Sequence, residues 1–136
     1  MQNPFNIQAK IVKLNAAKIE LPKSLAEVGQ TYFQQNFQKS QWNGNAWAQR
    51  KAGYYANKMR GKHLLVKTGN LRRALQNTII SYDWKKITWG IKGVDYAKYL
   101  NNGTSFMPQR QFIGINEELK AKIKKKIESE FNKIMN

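Results

Sequence analysis

Residues 21–37 carry the pattern that most constrains the fold. Apolar side chains recur there at intervals of three and four residues, which is the spacing of one face of an α-helix. The face is made by Leu21, Leu25, Val28, Tyr32, Phe33 and Phe37. A stripe of about five turns needs other elements to cover it. The pattern therefore predicts a long amphipathic helix at the centre of the fold, ending near the turn signal at Trp42-Asn-Gly44.

A second, shorter helix is predicted before it. Ile7, Ile11 and Leu14 recur at helical spacing, so residues 4–18 predict a first helix. Pro22 suits the first turn of the following helix, where its missing N–H breaks no hydrogen bond. We therefore expect two N-terminal helices with a break between them.

The C-terminal segment predicts another long helix. Asn116 suits its N-cap, and Glu117 and Glu118 suit the positive first turn. Lysines cover its other faces. Its apolar stripe consists of Leu119, Ile123, Ile127, Phe131 and Ile134.

Residues 78–92 predict two strands. The segments 78–84 and 87–92 alternate with period two around a turn at 83–86. Each segment places three apolar side chains on one face, and these are Ile80, Tyr82 and Trp84, and Ile87, Trp89 and Ile91. Gly90 and Gly93 predict a bulge or a tight exit. Together with the helices, the strands predict an α+β fold in a single domain over residues 1–136: a small antiparallel β-sheet packed against a long amphipathic helix, with N-terminal helices and a C-terminal helix.

Two short helices are also predicted around this sheet. Thr68 suits the N-cap of a helix over 69–75 whose leucines face inward. Asp95 suits the N-cap of a helix over 95–100, and the Asn-Gly pair that ends at Gly103 suits its C-terminus.

The charge is strongly basic and unevenly distributed. The chain has 24 basic and 8 acidic residues, a formal net charge of +16. No Asp or Glu occurs from Val28 through Tyr82, and residues 43–67 predict a long basic loop. That stretch between the acidic residues holds Lys39, Arg50, Lys51, Lys58, Arg60, Lys62, Lys67, Arg72 and Arg73. A field of this sign favours an acidic partner, which could be nucleic acid, an acidic protein surface or anionic lipid.

Composition excludes several kinds of site. There is no cysteine, so disulfides and thiolate metal sites are ruled out. No apolar run reaches the roughly 20 residues of a membrane span. The first residues lack a basic segment followed by an apolar one, so we expect no signal peptide and a cytoplasmic site of synthesis and assembly.

No catalytic pattern stands out. His63 is the one histidine and is expected in a surface loop. No glycine-rich phosphate loop is present. Asp95 followed by Glu118-Leu-Lys120 has the composition of a magnesium nuclease motif, but residues two apart on a helix point in different directions. The sequence therefore predicts a protein that is not an enzyme and that uses no cofactor and no metal.

Four segments carry a resemblance to a known family. Residues 33–44 join a helix end to a Trp and a turn, and Trp47, Arg50 and Lys51 follow. Residues 64–73 read Leu-Leu-Val-Lys-Thr-Gly-Asn-Leu-Arg-Arg, residues 90–103 contain Tyr-Ala and end in Gly, and residues 107–114 read Met-Pro-Gln-Arg-Gln-Phe-Ile-Gly. In this order they resemble the virion morphogenesis (tail completion) proteins of tailed bacteriophages. Lys98-Tyr-Leu departs from the family pattern after Tyr-Ala.

The resemblance implies a structural role. It implies an α+β fold and a homo-oligomeric ring that completes the tail or joins tail to head. The partners would be tail-tube or head–tail connector proteins, with no membrane partner. The location would be the virion, and the bacterial host cytoplasm during assembly. The motif residues so implied are Trp42, Trp47, Arg50, Lys51, Thr68, Gly69, Leu71, Arg72, Tyr96, Ala97, Gly103, Pro108, Arg110 and Phe112.

Two questions stay open at this point. Arg110 either bonds a carboxylate or backbone carbonyls, or it is simply solvated while Phe112 fills the core. The chain could instead be a small basic nucleic-acid-binding protein, with bases stacking on Trp42, Trp47, Tyr54 and Tyr55 and cations meeting phosphates. Non-specific DNA contact is compatible with either role.

Overall fold

A computed structural model describes residues 7–51, 57–58, 60–61, 63–65 and 69–136. The fold is α+β, as predicted. The helix α1 (Ile7–Lys39) is followed by the strands β1 (Gln41–Trp42) and β2 (Asn45–Ala46). The remaining elements in chain order are α2 (Asn70–Ala74), a 3-10 turn (Leu75–Asn77), β3 (Ile79–Tyr82), β4 (Ile87–Trp89), α3 (Ala97–Asn102) and α4 (Glu117–Met135).

The two predicted N-terminal helices are one continuous helix, so that prediction is wrong. Pro22 lies inside α1, where it removes the N–H that would bond the Lys18 carbonyl. A proline in a helix interior costs about 3 kcal/mol. Packing against α4 on both sides of Pro22 offsets this cost, since Tyr32 contacts the start of α4 and Leu21 lies beside Ile134 near its end.

The helices α1 and α4 are antiparallel. The Tyr32 hydroxyl donates to Glu118 Oε1 at 2.9 Å and accepts from Asn116 Nδ2 at 2.8 Å. Burial is the largest cause that raises the pKa of Tyr32. The Asn116 side chain also accepts from the Leu119 N–H at 2.8 Å, which confirms the predicted N-cap.

A small hairpin that the sequence analysis did not predict follows α1. The strands β1 and β2 pair antiparallel, with Trp42 opposite Asn45. Asn43 and Gly44 connect them with φ of 51° and 81°. Two consecutive positive φ values define a type I′ turn, which the Asn-Gly pair favours. This hairpin occupies the start of the predicted basic loop, so that part of the loop prediction is wrong.

The predicted antiparallel hairpin is present as β3 and β4 and packs on α1. The Trp89 indole N–H donates to the Ala26 carbonyl at 2.9 Å. Gly29 admits this ring, because a Cβ there would lie 2.4 Å from Trp89 Cζ2. The hairpin therefore lies against α1 at a helix position that has no side chain.

A bulge changes the predicted faces of the hairpin. Ile79 pairs with Trp89 and Ser81 pairs with Thr88, so Ile80 is an extra residue on β3. The predicted common face of Ile80, Tyr82 and Trp84 is therefore wrong. The bulge lies on β3 and not at Gly90 or Gly93, which follow β4, but Gly93 has a φ of 74° in a bend, as a tight exit requires. Gly90 accommodates the Ile80 side chain, whose Cδ1 would lie 2.6 Å from a Cβ there.

The two short helices begin later than predicted. Gly69, with φ 81°, stands at the N-cap of α2, and Thr68 lies outside the described residues. Tyr96 and not Asp95 precedes α3, and no side-chain cap bond is present there. The predicted end of α3 at Gly103 is confirmed. Within the described residues, no helix has the length and apolar character needed to cross a membrane.

Candidate functional site

The C-terminal end of α1 is where the separated motif segments meet. The Phe37 ring has three aromatic neighbours from three other parts of the chain. Its centroid lies 5.9 Å from Trp47, 4.6 Å from His63 and 6.0 Å from Phe112. Trp42 stacks on Phe33 one turn earlier, with 6.2 Å between centroids. We call this group, Phe33, Phe37, Trp42, Trp47, His63 and Phe112, the aromatic cluster.

The segment 108–114 is fixed to this cluster by hydrogen bonds. Phe112 is fully buried, and its N–H donates to Asn101 Oδ1 at 2.9 Å. The N–H of Ile113 donates to the same oxygen at 3.1 Å. The Trp47 indole donates to the Gln111 carbonyl at 2.8 Å. One asparagine and one tryptophan thus satisfy the backbone of a segment that has no secondary structure of its own.

Gly103 permits the close approach of this segment. Its φ is 76°, and a Cβ there would lie 2.8 Å from the Gln109 backbone nitrogen. A side chain at this position would therefore be strained and would collide with the backbone. Gly103 is therefore required by the packing of the end of α3 against the backbone at Gln109, which is a structural role.

Two arginines donate hydrogen bonds to backbone carbonyls of the loops around the aromatic cluster. Arg110 Nε donates to the Ala48 carbonyl at 2.9 Å, and Arg50 donates to the His63 carbonyl at 2.8 Å. Of the alternatives for Arg110, the bond to a backbone carbonyl is the one observed. Burial lowers the pKa of Arg110, and the charge of Arg50 adds to this. The two guanidinium groups therefore place positive charge beside the cluster, which favours an acidic partner.

His63 lies in a loop, as expected, but it is only partly exposed. The ring is half-buried and stacks on Phe37. Its Nδ1 accepts from the Leu65 N–H at 3.1 Å, and its Nε2 bonds the Phe37 carbonyl. An acceptor Nδ1 and a donor Nε2 describe the neutral imidazole. Burial is the main cause that lowers the pKa of His63, and Arg72 and Arg50 contribute in the same direction.

The structure divides the predicted motif residues into two groups. The first group supports the core through buried, partly buried or turn-forming residues, and it comprises Trp42, Trp47, Gly69, Leu71, Ala97, Gly103 and Phe112. The other group lies at or near the surface and is mainly basic, and it comprises Arg50, Lys51, Arg72, Tyr96, Pro108 and Arg110. Thr68 lies outside the described residues, as do Tyr54 and Tyr55. Most of the resemblance therefore falls on residues with structural contacts.

Sequence reasoning missed the residues that join segments through amides. The sequence predicts Asn101 only as part of a helix end, yet its side chain holds segment 108–114. Gln30 accepts from the Thr78 N–H at 2.9 Å and so ties the start of β3 to α1. No sequence signal marks such residues, because an amide on a helix usually faces water.

The outer edge of β3 is a further feature of the surface. The Asp83 N–H donates to the Lys86 carbonyl, and the Gly90 N–H donates to the Thr78 carbonyl. Because successive N–H groups of a strand point to opposite edges, the N–H of Tyr82 points away from β4. Among the described residues the sheet has two strands, β3 and β4. The outward backbone groups of β3 thus have no strand partner in the described chain, which makes this edge available for pairing.

A lysine-lined cleft lies between α1 and α4. Its volume is about 580 Å³. Lys122, Lys125 and Lys126 come from α4, and Glu27 comes from α1. Lys126 also pairs with Glu130 at 3.2 Å. The cleft concentrates positive charge beside hydroxyl and amide groups, a composition suited to phosphate.

The described residues contain no group of three or more His, Asp or Glu side chains placed to hold a metal ion. In the suspected nuclease motif, Glu118 bonds Tyr32 and Lys120 pairs with Glu117 at 3.3 Å. Comparisons of this chain with protein-family models, with curated proteins and with solved structures found no match.

Proposed function

We propose that this protein is a structural component of a phage or prophage virion, which completes the tail or joins it to the head as part of a homo-oligomeric ring. The single observation that carries the proposal is the convergence of the four resembling segments. They are far apart in sequence, and their residues meet in one core around the aromatic cluster at the end of α1. Motif residues that pack together in a core fix the shape of the subunit, and an assembly protein depends on that shape to contact its neighbours.

The free edge of β3 supports the ring. Strand pairing between neighbours is a common way to join subunits, and head-to-tail contacts close into a ring when the rotation allows it. A two-stranded hairpin is also marginal by itself. Pairing of β3 with a neighbour's strand would extend the sheet and stabilise both subunits.

The first test is quantitative mass spectrometry of gradient-purified particles from the source host. We expect a fixed, small number of copies in each particle, together with tail or connector proteins. Complete particles that lack the protein would contradict the structural role.

A second test addresses the ring itself in the purified protein. Tyr82→Pro removes the outward backbone N–H without removing a hydrogen bond of the hairpin. Tyr82→Thr also removes the aromatic side chain but keeps that N–H. Assembly is measured by light scattering after size-exclusion chromatography, at raised concentration or with the tail partner. We expect Tyr82→Pro to lose assembly and Tyr82→Thr to retain it. Equal assembly by both variants would exclude the β3 edge as the contact.

The lysine-lined cleft favours nucleic-acid binding as the alternative function. Each phosphate contact contributes a slope of about −0.9 to the dependence of log affinity on log salt. Replacing Lys122, Lys125 and Lys126 together by Gln should make the slope for duplex DNA less negative by about 2 to 3. The matched control replaces Lys85, Lys86 and Lys98, which lie outside this cleft. An equal effect of the two triple variants would mean that only net charge matters.

A further inference from the structure

The hairpin β3–β4 and the helix α4 flank the same length of α1. Trp89 at one end of the hairpin bonds Ala26, and Lys18 Nζ lies 6.0 Å from the centroid of the Trp84 ring at its other end. On α4, Glu118 bonds Tyr32, and Ile134 near the C-terminus shares a cavity with Leu21. Both elements thus run along α1 from its C-terminal half toward its N-terminal half.

The space over α1 between the hairpin and α4 is filled by side chains at one end only. Near Phe33, core side chains occupy it, including Trp89, Leu119 and Ile123. Further toward the start of α1 the apolar side chains are exposed. Trp84 is 58% exposed and Phe131 is 51% exposed. The core therefore continues into an open groove with apolar walls.

The orientation of α4 places its exposed apolar residues on this side. Lys122, Lys125 and Ser129 line the lysine-lined cleft. At 3.6 residues per turn, Ile127 and Phe131 lie on the opposite side of α4, which is the side of the hairpin. We define the open groove by Ile11, Leu14, Tyr82, Trp84, Ile127 and Phe131, all of them exposed.

Positive charge surrounds this open groove. Lys18, on α1, lies beside the Trp84 ring. On the hairpin turn, Lys85 and Lys86 outnumber Asp83, whose carboxylate accepts their two backbone N–H groups at 2.7 Å. On α4, Lys124 is exposed and falls on the same helical stripe as Ile127 and Phe131. The rim is therefore complementary to carboxylates.

We propose that the open groove binds an amphipathic helix of another protein, one that carries acidic residues beside its apolar face. Recognition would follow the helix-in-groove mode, with apolar anchors one turn apart in the groove and carboxylates on the lysine rim. This partner is favoured over a second copy because the chain carries a net charge of +16. It is favoured over nucleic acid because half of the groove lining, Ile11, Leu14 and Ile127, is aliphatic and offers no ring on which bases could stack. The proposal stands whether or not the protein forms a ring.

The test uses two designed peptides of about 18 residues, each long enough for about five helical turns. Both carry Leu at the same positions of one face, and they differ only in having Glu or Lys along its borders. Binding of the labelled peptides to the full chain is measured by fluorescence anisotropy. We expect the Glu peptide to bind, more weakly as salt rises, and the Lys peptide not to bind. Equal binding of both peptides, or no binding of the Glu peptide, overturns the proposal.

Variants locate the binding surface. We expect Phe131→Ser and Trp84→Ser each to weaken binding of the Glu peptide about tenfold, which corresponds to about 1.4 kcal/mol. Phe106→Ser is the matched control, because Phe106 is 91% exposed and belongs to the loop after α3. Since all three side chains are more than half exposed, the variants should fold, and circular dichroism checks this. Unchanged affinity in both groove variants overturns the proposal.

Two further measurements exclude other occupants. Sedimentation equilibrium of the wild type and of Phe131→Ser reports self-association. A dimer that forms only in the wild type would assign the groove to a second copy. Tighter binding of a labelled single-stranded DNA, with the same loss in Phe131→Ser, would assign the groove to nucleic acid. Either result overturns the proposal.

Discussion

The two halves of α1 have similar apolar spacing but opposite surroundings. In the C-terminal half, Phe33 and Phe37 are buried and contact four aromatic rings that lie outside α1. In the N-terminal half, Ile7, Ile11 and Ile19 are exposed. The same helical period thus produces a core in one half and an open surface in the other. An apolar stripe shows what a helix is able to bury, and the rest of the chain decides whether it is buried.

The largest expected effect is that of removing the centre of the aromatic cluster. Phe37→Ala should lower the free energy of unfolding by about 3–5 kcal/mol, because the lost ring leaves a cavity among three aromatic neighbours. Ile11→Ala in the other half should change it by less than about 0.5 kcal/mol. Urea denaturation measures both. Similar losses in the two variants would erase the difference between the halves.

The next effect tests what holds segment 108–114 onto the buried half. Asn101→Ala leaves the N–H groups of Phe112 and Ile113 without their acceptor and should cost about 1–3 kcal/mol. Asn102→Ala is the matched control, because it removes only an exposed contact from Asn101 Nδ2 at 3.3 Å and leaves the Asn101 Oδ1 acceptor in place. Urea denaturation of the two variants would show whether the amide at 101 has a role beyond helix propensity. Equal stability would argue that it has none.

Pro22 lies near the boundary between the halves. Pro22→Ala restores the N–H for the Lys18 carbonyl, and we expect a gain of about 1–2 kcal/mol, since the loss of the buried ring offsets part of the helix propensity. Hydrogen exchange of the amides before Pro22 should slow at the same time. A loss of stability would mean that the packing of the proline ring against its neighbours outweighs the missing hydrogen bond.

The smallest effect is the pH dependence of stability. The folded state lowers the pKa of His63, mainly by burial, so the unfolded state binds more protons just below its pKa of about 6.5. Stability should therefore be fully present above about pH 6.5 and decline as pH falls from there through the folded pKa. Thermal unfolding between about pH 7.5 and 5.5 measures this. His63→Phe keeps a ring beside Phe37 and should flatten the profile, and an unchanged profile would exclude His63 as its source.

Local pattern was sufficient for much of the fold. The Asn116 cap, the inward-facing Leu71 and Leu75 and the hairpin β3–β4 follow from short-range signals, because capping, helical spacing and strand alternation are set within a few residues. The predicted break at Pro22 failed because tertiary packing outweighed propensity. The prediction that Ile80 shares a face with Tyr82 and Trp84 failed because one bulged residue shifts every following side chain of the strand to the other face.

The candidate site was predictable only as a set of segments. Trp47, Arg110 and Phe112 were singled out by their motifs, but Asn101 and His63 became important through contacts that join residues far apart in the chain. A hydrogen bond from an amide or an imidazole to a distant backbone group leaves no periodic trace in sequence. The role of Arg110 likewise depended on the position of the Ala48 carbonyl.

The sequence by itself determined the amphipathic helices, the strand pair, the strongly basic charge and the absence of disulfides, because these depend on residue type and local spacing. Only the tertiary structure decided that α1 is continuous, that the motif segments meet on Phe37 and that the core opens into a groove beside Trp84 and Phe131. The physical reason is that burial is a property of pairs of surfaces, and a single stretch of chain specifies only one of the two.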